Sequence, residues 1–116
     1  MATNEKYIHA DELYVPVPVG TVSGSPVVYG QRPGYALTSR DADGKATVKF
    51  SGAINTPVKG ENNAGNNAVA EGDILYYEAG QTPPLNKDNV AGIRWGYAGG
   101  AVVSGATTTI LAIVGY

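Results

Sequence analysis

Glycine and proline are distributed along this chain in a way that leaves room only for short extended segments. The 116 residues include 16 glycines and seven prolines. No window free of them carries apolar residues at the i, i+3, i+4, i+7 spacing of a helix that packs on a core. The best candidate, residues 67–71, has room for one helical turn at most. The sequence therefore predicts little helix and an all-β fold.

Short apolar runs lie between these turn-forming residues and have the length of strands in a small barrel or sandwich. The runs occupy residues 27–29, 35–38, 46–50, 53–56, 74–77, 93–97 and 107–114. A chain of this length has room for one modest core, which predicts a single β domain over residues 13–116. Asp41, Asp43 and Gly44 predict a hairpin tip at residues 40–45. Residues 61–67 and 80–84 are turn-forming and should be exposed loops.

The first apolar segment, residues 13–19, contains Pro16 and Pro18. Each proline removes a backbone donor, so the segment should be extended and should lie at a sheet edge. Its odd-numbered residues are all apolar and would face one side of the sheet.

An internal similarity indicates that a β-hairpin is repeated. Residues 24–29 followed by Gly-Tyr-Ala at 34–36 resemble residues 72–77 followed by Gly-Tyr-Ala at 96–98. In each unit a glycine would form the entry turn, a short strand would follow, and the Gly-Tyr-Ala strand would return beside it. Two similar hairpin units are therefore expected.

Charge and composition exclude several partners. Ten acidic and eight basic residues leave a net charge of −2, and lysine and arginine are not clustered, so we expect no nucleic-acid partner. The longest aliphatic run, residues 110–114, is too short to span a bilayer, so we expect no membrane partner. An N-terminus without a signal-peptide core and a chain without cysteine predict synthesis in a reducing cytoplasm, without export.

No constellation of catalytic or metal-binding residues is recognisable. The single histidine, His9, lies in a polar segment that would not hold a base in place. Asp41 and Asp43 have the Asp-x-Asp spacing that opens a calcium loop, but the fifth and twelfth positions of such a loop are Lys45 and Gly52. A small enzyme would need a clustered acid and base. We therefore expect no enzymatic activity, no metal and no cofactor.

Several short segments occur together in a specific order and spacing. The most specific are Val-Ser-Gly-x-Pro-Val-Val at residues 22–28 and Gly-Asp-x-Leu-Tyr at residues 72–76, accompanied by residues 34–36, 48–57 and 96–98. From about residue 11 to the C-terminus this series resembles the phage capsid cement, or head decoration, protein family. The chain departs from the family pattern in its longer loop at residues 61–67 and in its proline-containing edge segment.

The resemblance implies a small β-barrel or β-tulip domain with an extended N-terminal arm. It also implies a non-enzymatic, structural protein of the virion that forms homotrimers on the outer surface of the mature phage head and stabilises the shell. Its partners would be the major capsid protein and further copies of itself. Such a protein would be made in the cytoplasm of the bacterial host.

Two sets of residues are candidates for these contacts. Residues 1–12 are predicted to form a flexible arm. Tyr7, Ile8 and His9 of this arm would bind the capsid, and the arm would become ordered when it contacts the shell protein. The alternative is a terminus that is merely disordered. For the trimer interface we expect apolar residues that face outwards from the strands, namely Tyr29, Tyr35 and Trp95.

The main alternative function is a carbohydrate-binding β module displayed on the virion. Tyrosine and tryptophan rings would then stack on sugars, and the asparagine-rich loop at residues 61–67 would supply hydrogen bonds.

Overall fold

The computed structural model describes residues 12–115, and over this range the fold is all-β without a helix. The strands are β1 (Glu12–Pro16), β2 (Pro26–Tyr29), β3 (Arg32–Ala36), β4 (Lys45–Lys49), β5 (Ala53–Lys59), β6 (Glu61–Asn62), β7 (Gly65–Asn66), β8 (Ile74–Tyr77), β9 (Leu85–Asn86), β10 (Ile93–Ala98) and β11 (Thr107–Val114). Each apolar run recognised in the sequence overlaps one of these strands, so the prediction of an all-β fold is confirmed.

The strands form two main antiparallel sheets and one small hairpin. The first sheet has the order β1-β4-β3-β2, the second has the order β5-β11-β10-β8-β9, and β6 pairs with β7. The second sheet is nearly closed and barrel-shaped, because its edge strands β5 and β9 contact each other. Just beyond these strands the Lys87 N–H donates to the Glu61 carbonyl at 2.8 Å. This closure is consistent with the expected small β-barrel.

Each main sheet has its own hydrophobic cluster. The cluster of the first sheet consists of Val15, Val17, Val27, Ala36, Ala46, Val48 and Phe50. The cluster of the barrel consists of Val58, Val69, Leu75, Tyr77, Leu85, Trp95, Ala98, Val102, Ile110, Ala112 and Val114, with Val28 and Tyr35 of the first sheet packed against it. The first sheet therefore contributes side chains to the core of the second.

The proline-containing segment forms edge strand β1, as predicted. Val15 and Val17 are buried and Leu13 is half-buried on the same side. The expectation that Val19 continues this side is wrong, because its side chain is 86% exposed. The chain leaves the strand direction in a turn that is closed by the Thr21 N–H donating to the Pro18 carbonyl at 3.2 Å.

The predicted hairpin tip at residues 40–45 is also present. Asp41 Oδ1 accepts hydrogen bonds from the N–H groups of Asp43 and Lys45, at 2.9 and 3.0 Å. The other carboxylate oxygen accepts a hydrogen bond from the Tyr14 hydroxyl of β1. This bond raises the pKa of Tyr14 to about 12 and ties the edge strand to the turn.

Both copies of the predicted hairpin are present, and they share the same turn hydrogen bond and glycine conformation. In one copy the Gly24 N–H donates to the Ala36 carbonyl at 2.7 Å, and in the other the Gly72 N–H donates to the Ala98 carbonyl at 2.7 Å. Both glycines have a φ near +90° (88° and 90°), which only glycine adopts readily. The prediction of two similar hairpin units is confirmed.

The turns that begin these hairpins match in their side-chain bonds as well. Ser25 Oγ accepts from the Val22 N–H at 3.1 Å, and Asp73 Oδ2 accepts from the Ala70 N–H at 2.8 Å. In each turn, a short polar side chain at the fourth residue thus accepts a hydrogen bond from the backbone N–H of the first residue.

The correspondence extends over both sheets. Each contains four strands in the order first-fourth-third-second, namely β1-β4-β3-β2 and β5-β11-β10-β8, and the barrel adds β9. The register also agrees: Tyr35 pairs with Lys49 in one sheet, and Tyr97 pairs with Ile113 in the other. The chain therefore consists of two topologically equivalent halves, so each residue of one sheet can be compared with its counterpart in the other.

Candidate functional site

The residues expected to contact partners lie in different environments. Tyr7, Ile8 and His9 fall outside the described residues. Tyr29, at the end of β2, is 46% exposed, and its ring lies 6.4 Å from the Phe50 ring between centroids. Tyr35 is half-buried and packs against the barrel core.

The expectation that Trp95 faces outwards is wrong. Its side chain is fully buried, and the indole Nε1 donates to the Gly34 carbonyl at 3.0 Å, which joins the two sheets. The cause is an irregularity in β10, where Arg94 pairs with Tyr76 and Gly96 already pairs with Leu75. The extra residue between them breaks the alternation of sides and directs the tryptophan into the core.

The outer side of the second sheet is apolar over several strands. Ala53, Ile113, Tyr97 and Ile74 lie side by side on β5, β11, β10 and β8, because each pairs with the next. Leu111 extends the same side of β11, and Leu111 and Ile113 are 44% and 42% exposed. We call Ala53, Tyr97, Leu111 and Ile113 the outer face.

The equivalent positions of the first sheet carry charges instead. Glu12 occupies the position of Ala53, and Lys49 occupies the position of Ile113, so that residues of opposite charge lie directly opposite each other on β1 and β4. Opposite charges on neighbouring strands are usual on a solvated sheet surface, whereas large aliphatic side chains grouped on a sheet surface are typical of contacts with another protein. The outer face therefore has the character of a protein-binding surface.

A polar cleft of about 510 Å³ lies beside β8, between the barrel and the β6–β7 hairpin. Its walls are formed by Asn62, Asn63, Asn67, Gly72, Asp73, Ile74, Tyr76, Lys87 and Asn89. The asparagine-rich segment expected as an exposed loop is thus a short hairpin that places amide groups opposite a tyrosine.

Lys87 is the centre of the hydrogen-bond network in this cleft. Its Nζ donates to Asn67 Oδ1 at 3.0 Å and to the Ala68 carbonyl at 3.1 Å, and it lies 3.1 Å from Asp73 Oδ2. An ammonium group has three donors, and these three partners account for all of them. The lysine therefore anchors the wall of the cleft and has no donor left for an anionic ligand.

The ionisation of Asp73 reflects the same network. The Ala70 N–H and, to a smaller extent, the Lys87 ammonium lower the pKa of Asp73 below its usual range. The carboxylate is therefore ionised at neutral pH and balances the charge of Lys87. The cleft as a whole presents neutral amides and an aromatic ring around one compensated ion pair.

A pair of carboxylates, Glu78 and Asp88, lies just after the ends of β8 and β9. A hydrogen bond shared with Asp88 raises the pKa of Glu78. The N–H of Ala91, together with Glu78, lowers the pKa of Asp88, whose Oδ1 accepts from Val90 and Ala91 at 3.0 and 2.9 Å. Asp88 thus closes the loop that leads into β10, which is a structural role.

Residues 12–115 contain no group of three or more histidine, cysteine, aspartate or glutamate side chains placed to hold a metal ion. Within the same range no helix is long and apolar enough to cross a membrane.

Sequence reasoning pointed to some parts of the cleft and missed others. The alternative function predicts sugar contacts from the asparagine-rich segment and from tyrosine rings, but nothing in the sequence pattern indicates that this segment meets Tyr76. Asp73 belongs to the repeated turn, and its match to Ser25 is a signal that could have identified it as a turn residue. Lys87 has no such signal, because it reaches the cleft only through the closure of the barrel.

No protein-family model matches this chain, and neither a curated protein nor a solved structure shows significant similarity to it.

Proposed function

We propose that this chain is a structural phage capsid decoration protein, which binds the outer surface of the mature head as a homotrimer and stabilises the shell. The series of sequence segments that resembles the cement protein family supports this proposal. The observation that carries it is the outer face, where aliphatic side chains replace the charge pair found at the equivalent positions of the first sheet. A surface of this kind is suited to burial against protein.

The outer face would be buried between copies of the chain in the trimer. Ile113 and Leu111 are large, nearly half exposed and adjacent on one strand side. Fully burying an exposed side chain of this size is worth about 1.5–3 kcal/mol, and because these two are already more than half buried, each would contribute about half of that on assembly. On β5 the residues paired with Ile113, Leu111 and Thr109 are Ala53, Asn55 and Pro57, so burying this part of the face would desolvate no charge. At its border the guanidinium of Arg94 lies over the Tyr97 ring, 5.5 Å from the ring centroid.

Stabilisation of the shell would follow from the thermodynamic linkage between binding of the decoration protein and closure of the shell. A protein that binds the closed, expanded shell and not its separated subunits shifts the equilibrium towards the closed state. A trimer with three arms binds with high avidity, because the second and third contacts form within one complex. The arm residues Tyr7, Ile8 and His9 are our candidates for contact with the major capsid protein.

Cosedimentation with capsids tests the proposal directly. Purified protein is mixed with expanded, undecorated capsids of the phage that encodes it and, in parallel, with unexpanded procapsids. We expect it to pellet with the expanded capsids and to lie at threefold positions when the pellet is imaged. Failure to bind any capsid of its own phage would contradict the proposal.

A deletion separates the role of the arm from that of the folded domain. Removing residues 2–10 should abolish pelleting with expanded capsids, while the far-ultraviolet circular dichroism of the β domain stays unchanged. Unchanged capsid binding after this deletion would exclude the arm as the main contact and leave the folded domain as the binding element.

A further inference from the structure

We infer that the polar cleft beside β8 is a binding site for a neutral saccharide. The decoration role does not require such a ligand, and the geometry of the cleft is what supports it. Ligand-binding pockets in proteins usually have volumes of roughly 300–1,000 Å³, and the cleft, at about 510 Å³, lies within this range.

The amides of the cleft are oriented so that they offer donors. Asn62 Oδ1 accepts from the Ala64 N–H at 2.9 Å, and Asn67 Oδ1 accepts from Lys87 Nζ at 3.0 Å. In both side chains the acceptor is occupied within the protein, which leaves the Nδ2 group to donate to a ligand. Two donors held in fixed orientation are suited to hydroxyl oxygens, which accept hydrogen bonds without carrying charge.

Asp73 adds a hydrogen-bond acceptor to the cleft, and Tyr76 adds an aromatic ring. Asp73 Oδ2 is engaged by Ala70 and Lys87, while its Oδ1 can accept a hydrogen bond from a ligand hydroxyl. Tyr76 is half-buried and offers an aromatic surface next to these groups. Donors, an acceptor and a flat apolar ring together match a sugar, which has hydroxyl groups at its edge and C–H groups on its faces.

The charge balance argues for a neutral ligand over an anionic one. The cleft contains one lysine, and its three donors are used by Asn67, Ala68 and Asp73. Lys87 already balances the charge of Asp73, so no cation of the cleft lining is left to balance the charge of an acidic sugar or a phosphate, which would also lie near the ionised Asp73. A neutral saccharide needs no such compensation.

The first experiment identifies a ligand class. The full-length protein is applied to an array of oligosaccharides that includes neutral and acidic members. We expect binding to one or more neutral structures, and the tightest is then titrated in solution by nuclear magnetic resonance. Binding to none of them, or to acidic ones alone, overturns the inference.

Isosteric variants then connect the binding to the cleft. Asn62→Asp and Asn67→Asp keep the acceptor that the protein uses and remove the Nδ2 donor. Since a hydrogen bond contributes about 0.5–1.5 kcal/mol, each change should weaken binding roughly two- to tenfold. Asn66→Asp is the matched control, because it makes the same change at an exposed residue of β7 that does not line the cleft, and it should bind saccharide like the unmodified protein.

The ring is tested separately. Tyr76→Ala should weaken binding about tenfold or more, as expected for the loss of stacking on one ring, and Tyr14→Ala, at an exposed tyrosine outside the cleft, should not. Circular dichroism confirms that each variant is folded. If all three cleft variants retain full affinity, the cleft is not the binding site and the inference is wrong. Pelleting with capsids is measured for the same variants and should not change, so that a failure here is separate from a failure of the decoration role.

Discussion

Gly96 shows how single residues set the spacing of the strands. A Cβ atom at this position would lie 1.9 Å from the Ile113 carbonyl oxygen on the paired strand β11. The clash is with backbone, which cannot rotate away as a flexible side chain can. Glycine is therefore needed here for close approach of two strands.

Gly96→Ala should lower the free energy of unfolding by about 1–3 kcal/mol or more, because β10 and β11 must separate to admit the methyl group. Urea denaturation followed by tryptophan fluorescence measures the change. Gly100→Ala is the control, since its nearest neighbours are side-chain atoms of Ile110 at 3.3 Å, and it should cost less than about 1 kcal/mol. Equal losses in the two variants would contradict the role assigned to Gly96.

Asp73 gives a prediction about pH. Because its pKa is lowered in the folded protein by the Ala70 N–H and by Lys87, its contribution to stability is present above the usual carboxyl pKa of about 3.9 and is lost as the pH falls through the folded value. Asp73→Asn keeps an acceptor for the Ala70 N–H and removes the ion pair. The pair is partly exposed, so the variant should lose roughly 0.5–1 kcal/mol at pH 7.

The same comparison at low pH provides the check on Asp73. The difference between the unmodified protein and Asp73→Asn in urea denaturation should be constant above about pH 5 and should shrink as the pH falls below about 3.9 towards the folded pKa of Asp73. Asp43→Asn, which removes a carboxylate in the turn at residues 40–45, controls for the general effect of charge. A difference that stays constant with pH would show that the ion pair with Lys87 does not contribute.

At the level of the elements, local signals predicted the strands and the turns well. Pro16 marked β1 as an edge strand, and Pro57 occupies the equivalent place in edge strand β5, as expected for a residue without a backbone donor. The repeated Gly-Tyr-Ala segments predicted the paired hairpins because glycine turns and strand lengths are encoded within a few residues.

Other features of the elements depend on contacts between distant parts of the chain. The irregularity at Trp95 reversed the expected side of the ring. The adjacent Gly96 is a signal for a bulge, because isolated glycines within strands often mark one, but it does not fix the side to which the ring turns. The contact of β5 with β9 closes the barrel and forms the cleft. This contact was not predicted, because β9 has only two residues and lacks the apolar run that indicates a strand. The candidate cleft was therefore visible in the sequence only as separate pieces.

For the whole molecule, the two halves provide an internal comparison that bears on assembly. They share strand order and register, yet one carries Glu12 and Lys49 where the other carries Ala53 and Ile113. Both halves have the same strand order and register, so backbone geometry alone does not explain the difference in polarity. A difference in what each surface contacts does explain it, and the outer face is accordingly the surface that we expect to be buried between copies.

Ile113→Lys tests this by giving the outer face the residue that the first sheet has at the same place. The lysine is compatible with the strand, because Lys49 occupies the equivalent position, but an unpaired charge in an interface is costly. Light scattering coupled to gel filtration should give about 36 kDa for the unmodified protein, three times the chain mass of 12.0 kDa, and the mass of one chain for the variant. Val90→Lys, at a loop residue that is 74% exposed, should leave the trimer intact. A trimer that survives Ile113→Lys would exclude the outer face from the subunit contact and make the shell protein its remaining candidate partner.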